Sequence, residues 1–201
     1  EGFPRAMNLL GCCYRDGDGV ERDTAQAVAW FQRAVDLGYP PALVSLGLCY
    51  EHGEGVEQDI PRAVELYCQA GESGDPAGAC NAGYCYLTGA GVPQDFAQAV
   101  SWLERAAGRD YPRALDLLGD CCHYGDGVPQ DDRRAAEYYQ KAAALDYPPS
   151  LVSLGLCYER GWGVEQNKSR AVKLYLKAGQ QGSATGYCNA GYCYLTGIGV
   201  Q

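Results

Sequence analysis

The chain has 201 residues, 47% of them hydrophobic, enough apolar material for a sizeable core and too much for a disordered polymer. With 25 acidic against 16 basic residues its net charge is −9, a balance that disfavours nucleic-acid phosphates and acidic lipid surfaces as partners. No run of 18 apolar residues occurs, so no helix is expected to span a bilayer.

The opening stretch, Glu1 to Arg5, shows no basic-then-apolar leader, yet it starts inside a repeated motif and is compatible with an upstream leader. That motif organises everything downstream. Gly-x-Gly-Val stands at Gly17–Val20, Gly53–Val56, Gly89–Val92, Gly125–Val128, Gly161–Val164 and Gly197–Val200, each 36 residues after the last. Six residues before each loop lies a glycine: Gly11, Gly47, Gly83, Gly119, Gly155 and Gly191. After the loop come Asp23, Asp59, Asp95, Asp131 and Asn167, expected N-caps whose side chains accept from orphan backbone N–H groups.

The first capped helix is expected to carry Ala27, Phe31 and Ala34 on one face and to stop at Gly38, which supplies a left-handed residue. The second repeats this with Ala63, Tyr67 and Ala70 before Gly74, and the third with Ala99, Val100, Leu103 and Ala106. Asp110 and Asp146 take the stopping position in the third and fourth repeats, each followed by Tyr-Pro, and Gly182 takes it in the fifth. Between stop and loop a shorter helix is predicted, for example from Pro112 to about Tyr124. The pattern predicts an all-α chain of about five and a half helix-turn-helix repeats, at approximately 5–40, 41–76, 77–112, 113–148, 149–184 and a partial 185–201. A mid-helix glycine costs roughly 1 kcal/mol against alanine, so the Gly47 series argues for close helix–helix approach.

These residues resemble the Sel-one-like repeats of the tetratricopeptide-repeat superfamily. The resemblance rests on Ala42-x3-Leu46-Gly47-x2-Tyr50, on Gly53-x-Gly55-Val56-x2-Asp59, and on Ala63-Val64-x2-Tyr67-x2-Ala70, and it covers essentially the whole chain. Ala82 and Ala190 in place of the leucine, and Cys122 in place of the tyrosine, are local departures. The resemblance implies a right-handed α/α superhelical solenoid, and an adaptor that binds another protein rather than a catalyst. A longer period of 108 residues is superposed: Cys80 to Gly89 recurs unchanged at Cys188 to Gly197, as a duplicated three-repeat block would produce. Both ends look cut from a longer array.

Of the 11 cysteines, Cys13, Cys49, Cys85, Cys121, Cys157 and Cys193 keep the repeat period and read as small buried hydrophobes. Disulfide-bridged relatives imply a second cysteine at a fixed offset in each repeat. This chain lacks it, which points to a reducing compartment, the cytoplasm. The adjacent pairs Cys12-Cys13 and Cys121-Cys122 diverge by about 100° on a helix, so no metal or other cofactor is expected. Gly-x-Gly-Val follows a helix rather than a strand and is read as a turn, not a phosphate loop. Tyr50, Tyr86, Tyr158 and Tyr194 are expected in the core. His52 and His123 are expected on solvated surface, with no repeated acid or nucleophile beside them.

In solenoids like those the resemblance implies, the first helix of each hairpin lines the inner, concave wall. Residues that vary between repeats on that wall are the candidate partner contacts: Val44, Leu48, Glu51, Tyr84, Leu87, Asp116, Asp120, His123, Val152, Leu156, Glu159 and Tyr192. They form an apolar stripe broken by carboxylates, suited to a peptide or helix of another protein. Two alternatives remain: a secreted effector or host-contact repeat protein, and an enzyme acting on cell-wall glycans or β-lactams. The enzyme would need a convergent acid, base or nucleophile that the sequence does not display.

Overall fold

The computed structural model describes residues 3–200. Among them are eleven α-helices and no strand: α1 Pro4–Asp16, α2 Thr24–Asp36, α3 Pro40–His52, α4 Ile60–Glu72, α5 Pro76–Thr88, α6 Phe96–Ala107, α7 Pro112–Tyr124, α8 Asp132–Ala144, α9 Pro148–Arg160, α10 Lys168–Gln180 and α11 Ala184–Thr196. They pair as antiparallel-type hairpins, α1 with α2 through α9 with α10, and α11 opens a sixth. The chain forms two compact units, one running to Arg109 and the other from Asp110.

The expected difference in helix length is not there. Each first helix has 13 residues, and each second helix has 12 or 13. The reason is local: α3, α7 and α9 begin on a proline whose fixed φ suits the first helical position, and nothing interrupts them before the loop glycine.

The caps follow the sequence closely. Asp23, Asp59, Asp95, Asp131 and Asn167 each accept a backbone N–H from the first turn of the following helix. At the other end of these helices Asp110 and Asp146 adopt φ of 54° and 56°, the left-handed region that Gly38, Gly74 and Gly182 occupy elsewhere. The loop is tied at both ends. Gly53 and Glu54 donate to Cys49 O, and Asp59 N donates to Tyr50 O. A glutamine just before the cap adds a third tie, Gln58 to Glu51 O and Gln166 to Glu159 O, satisfying a last-turn carbonyl.

Packing within a hairpin is dictated by the mid-helix glycine. A Cβ built on Gly47 would stand 2.6 Å from Tyr67 Cε1, and one on Gly83 would stand 2.8 Å from Leu103 Cγ. The aromatic or leucine of the second helix lies directly on that bare backbone. Packing between hairpins uses the loop. A side chain on Gly55 would strike the backbone of Thr24 and Ala25, and one on Gly163 the backbone of Asp132 and Arg133, so these loops rest on the start of the preceding second helix.

Tyr67, Tyr175 and Phe31 are among the largest fully buried side chains, embedded with the alanines of the repeat. Cys49, Cys85, Cys121, Cys157 and Cys193 are buried, whereas Cys13 is only half-buried. Tyr158 is buried and Tyr50 and Tyr86 are half-buried; Tyr194, on α11, against which no second helix of its own hairpin packs among the described residues, is 57% exposed.

Candidate partner-binding site

The first helices line one wall in each unit. In the first unit α3 lies beside both α1 and α5, and in the second α9 lies beside α11. The candidate contacts lie on these helices, Val44, Leu48, Glu51, Tyr84 and Leu87 in the first unit and the other seven in the second.

They fall into three physical groups. Val44 and Leu48 are half-buried against the cluster of Ala63, Val64, Tyr67, Ala82 and Cys85, and Leu156 does the same in the second unit. Val152 is only 8% exposed and belongs to the core of the second unit. Little of its side chain is therefore left at the surface for a partner to touch. Leu87 is half-buried, whereas Tyr84 and Tyr192 are 40% and 58% exposed.

The carboxylates form the third group. Tyr67 Oη donates to Glu51, Tyr175 Oη to Glu159 Oε2 at 2.9 Å, and Tyr139 Oη to Asp120 Oδ1 at 2.7 Å. All three acids serve the hydroxyl of the tyrosine that packs on the hairpin's own glycine. A buried hydroxyl without a partner is costly, so the acid is required wherever the second helix brings a tyrosine. Where it brings Phe31 or Leu103, the same wall positions hold Arg15 and Leu87 instead of glutamate. Opposite Tyr139 that position is His123 and the acid is Asp120, one turn earlier, so the pairing spans two wall positions, a signal that period reasoning passed over. Removing the hydroxyl with Tyr67→Phe is expected to cost about 1–2 kcal/mol, whereas Tyr67→Phe together with Glu51→Leu should recover most of it. Urea unfolding of the double-mutant cycle checks this; strictly additive losses would contradict the pairing.

Asp116 accepts the hydroxyl of the fully buried Ser150, at 2.6 Å, from the next hairpin. Burial pushes its pKa up to about 6, opposed by that hydrogen bond and reinforced by the charge of Asp120. Burial likewise raises Asp120, while the Tyr139 hydroxyl and His123 act the other way.

His123 is not on solvated surface. Its side chain is 19% exposed, its Nδ1 lies 2.6 Å from Asp132 Oδ1, and its ring stands 4.8 Å from those of both Tyr124 and Trp162. His52 is exposed, its Nδ1 2.9 Å from Leu48 O. The His123–Asp132 pair has the form of an oriented base, yet the hydroxyl and thiol near it are poor nucleophiles. Ser153 Oγ donates to Pro149 O, and burial raises the Cys157 thiol to about 11. Among the described residues no cluster of His, Cys, Asp and Glu is arranged to hold a metal, and no helix is long and apolar enough to cross a membrane.

A family model described as the Sel1 repeat matches residues 4–39, 40–75, 76–111, 112–147, 148–183 and 184–201. The chain belongs to the Sel1 repeat family. Its architecture is an all-α Sel1 repeat scaffold, a fold that commonly mediates protein interactions and is generally non-catalytic. A protective antigen of uropathogenic Escherichia coli displaying an SLR fold is 38% identical, with a TM-score of 0.88 over 100% of this chain and 43% of the antigen. A Sel1 repeat protein from Oxalobacter formigenes is 33% identical, with a TM-score of 0.90 over 96% of this chain and 78% of its own. An immunity protein from Pseudomonas aeruginosa is 26% identical, with a TM-score of 0.63 over 89% of this chain and 66% of its own. This Sel1 repeat chain therefore spans less than half the length of the E. coli antigen. No curated protein matches the sequence.

Proposed function

We propose that this Sel1 repeat chain is a non-catalytic adaptor that holds a peptide or helix of another protein against the wall of first helices. The observation that carries the reading is Tyr84 in the first unit, with Tyr192 at the same register in the second. These residues are 40% and 58% exposed, Tyr84 on a helix whose Gly78, Ala79, Cys80, Ala82, Gly83 and Cys85 are buried. A large aromatic held out from a rigid helix is a low-entropy anchor for a partner chain. Half-buried Leu48 and Leu87 extend the apolar surface beside Tyr84. A reducing compartment, the cytoplasm, fits the same reading. Cys49, Cys121 and Cys157 act as small apolar side chains, with thiols that burial raises to about 11–12.

The test is affinity capture from the chain's own cell extract with wild type beside Tyr84→Asp/Tyr192→Asp. Both sites are exposed, so helicity by circular dichroism should not change. Loss of a captured protein by at least about tenfold is expected, the equivalent of a single well-placed anchor. Equal capture by the folded double variant would remove the wall as the binding surface.

A further inference from the structure

We infer that the second unit carries a receptacle for the guanidinium head of an arginine on the partner protein, formed by Asp120, His123, Tyr124 and Trp162. The inference rests on the adaptor reading, since the partner supplies the arginine.

The receptacle lies where α7, α8 and the loop after α9 meet. Asp120, His123 and Tyr124 come from the last turn of α7, Tyr139 from α8, and Trp162 from the Gly-x-Gly-Val loop. With Ser153, Leu156 and Cys157 of α9 they line a half-open cavity of about 70 Å³. That is roughly the liquid volume of two waters, enough for the planar head of a side chain and far below the space a whole small ligand needs. One Asp120 oxygen accepts the Tyr139 hydroxyl, leaving the other to take a charge-assisted bond from a guanidinium. The imidazole is held by Asp132 on its Nδ1 side, and its centre lies 4.8 Å from that of each of the two aromatic rings. Tyr124 and Trp162, which also line the cavity, are 69% and 38% exposed. A guanidinium is weakly hydrated and flat, so it stacks on aromatic faces while its edge meets the carboxylate.

Two features of the same chain point to arginine as the occupant. Trp30 and Trp102 are each covered by an arginine of this chain, Arg33 at 4.6 Å and Arg105 at 4.7 Å from the ring centre. Among the described residues Trp162 has no such cover. The second feature is the equivalent junction one block earlier, 108 residues back, where Asp120, His123, Tyr124, Cys157 and Trp162 correspond to Cys12, Arg15, Asp16, Cys49 and Glu54. There the position of His123 is held by an arginine. The Arg15 guanidinium bonds Asp16 at 2.8 and 3.0 Å and acts electrostatically on Cys12 and Cys49. The first block thus supplies its own guanidinium. The second holds His123 in place of that arginine, a carboxylate in place of Cys12, and two exposed aromatics in place of Asp16 and Glu54.

The test is a titration of the whole chain with acetyl-Gly-Arg-Gly-amide, following the indole N–H signal of Trp162 by nuclear magnetic resonance, assigned with Trp162→Phe. A saturable shift in the roughly millimolar range is expected, and about tenfold weaker binding in Asp120→Asn, which keeps an acceptor for Tyr139. The same peptide with citrulline for arginine, uncharged but of the same shape, should leave the signal in place. Equal shifts with citrulline, undiminished binding by Asp120→Asn, or no shift at all would overturn the receptacle. The titration needs no natural partner. Its failure leaves the Tyr84/Tyr192 capture test standing, and failure of that capture leaves the titration readable.

Discussion

Gly47→Ala is expected to destabilise the first unit by about 2–4 kcal/mol, whereas Gly191→Ala at the same repeat position should be neutral or mildly stabilising. On helix propensity alone both substitutions gain roughly 1 kcal/mol. The difference is space. At Gly47 the added carbon would stand 2.6 Å from Tyr67 Cε1 and 2.9 Å from Cδ1, while at Gly191 nothing lies within 4 Å. The Tyr67 ring has nowhere to retreat: it is 1% exposed, and its hydroxyl is anchored on Glu51. Relief requires the two helices of the hairpin to separate, opening contacts along their whole length. Urea unfolding of both variants checks this, and a loss at Gly191 comparable to that at Gly47 would show that the glycines matter through backbone conformation rather than helix approach.

That contrast shows what the sequence discloses readily and what it hides. Caps, stops and packing glycines recur every 36 residues because each hairpin solves the same local problem, and six near-copies make the solution legible. The lateral neighbours are not in that period. Val152 reads as a variable wall position within its own helix, and only the adjacent hairpin decides that it is buried. His123 reads as an exposed helix end, because Asp132 reaches it from across the loop and Trp162 from the next hairpin's loop. The tyrosine–carboxylate pairs occupy a middle ground. Phe31, Tyr67, Leu103, Tyr139 and Tyr175 share one column, and the acids appear on the wall only opposite the tyrosines. Periodicity conceals such pairs by treating the variable columns as independent.

Most of the wall's carboxylates are therefore committed inside the hairpin before any partner arrives. Glu51 and Glu159 hold tyrosine hydroxyls, so substituting either tests stability before it tests binding. The exposed Tyr84 and Tyr192 and the receptacle at Trp162 are the places proposed to meet another chain, one kind by apolar contact and the other by charge and stacking. A partner that uses the second site is expected to lose affinity with added salt, since a carboxylate–guanidinium pair is partly screened, whereas contact with the tyrosines alone should be nearly salt-independent.

Asp116→Asn should stabilise the second unit by about 1–2 kcal/mol at neutral pH and by almost nothing near pH 4. Burial raises the folded-state pKa of Asp116 from 3.8 to about 6, and the Asp120 charge on the same helix adds to the effect. The folded state thus holds this proton more tightly than the unfolded chain. Stability from the group is fully present below the unfolded value and is lost as pH rises through the folded one. The full shift corresponds to roughly 3 kcal/mol, reduced because the side chain keeps some contact with water. Asparagine carries no charge at any pH and still offers its oxygen to the Ser150 hydroxyl from α9, so the hydrogen bond survives while the desolvation cost disappears. The gain, measured as the difference in unfolding free energy between variant and wild type, should climb between about pH 4 and pH 7 and then level off. A difference flat across that range would mean that Asp116 is ionised in the folded chain as easily as in water, with Ser150 and its surroundings fully offsetting burial.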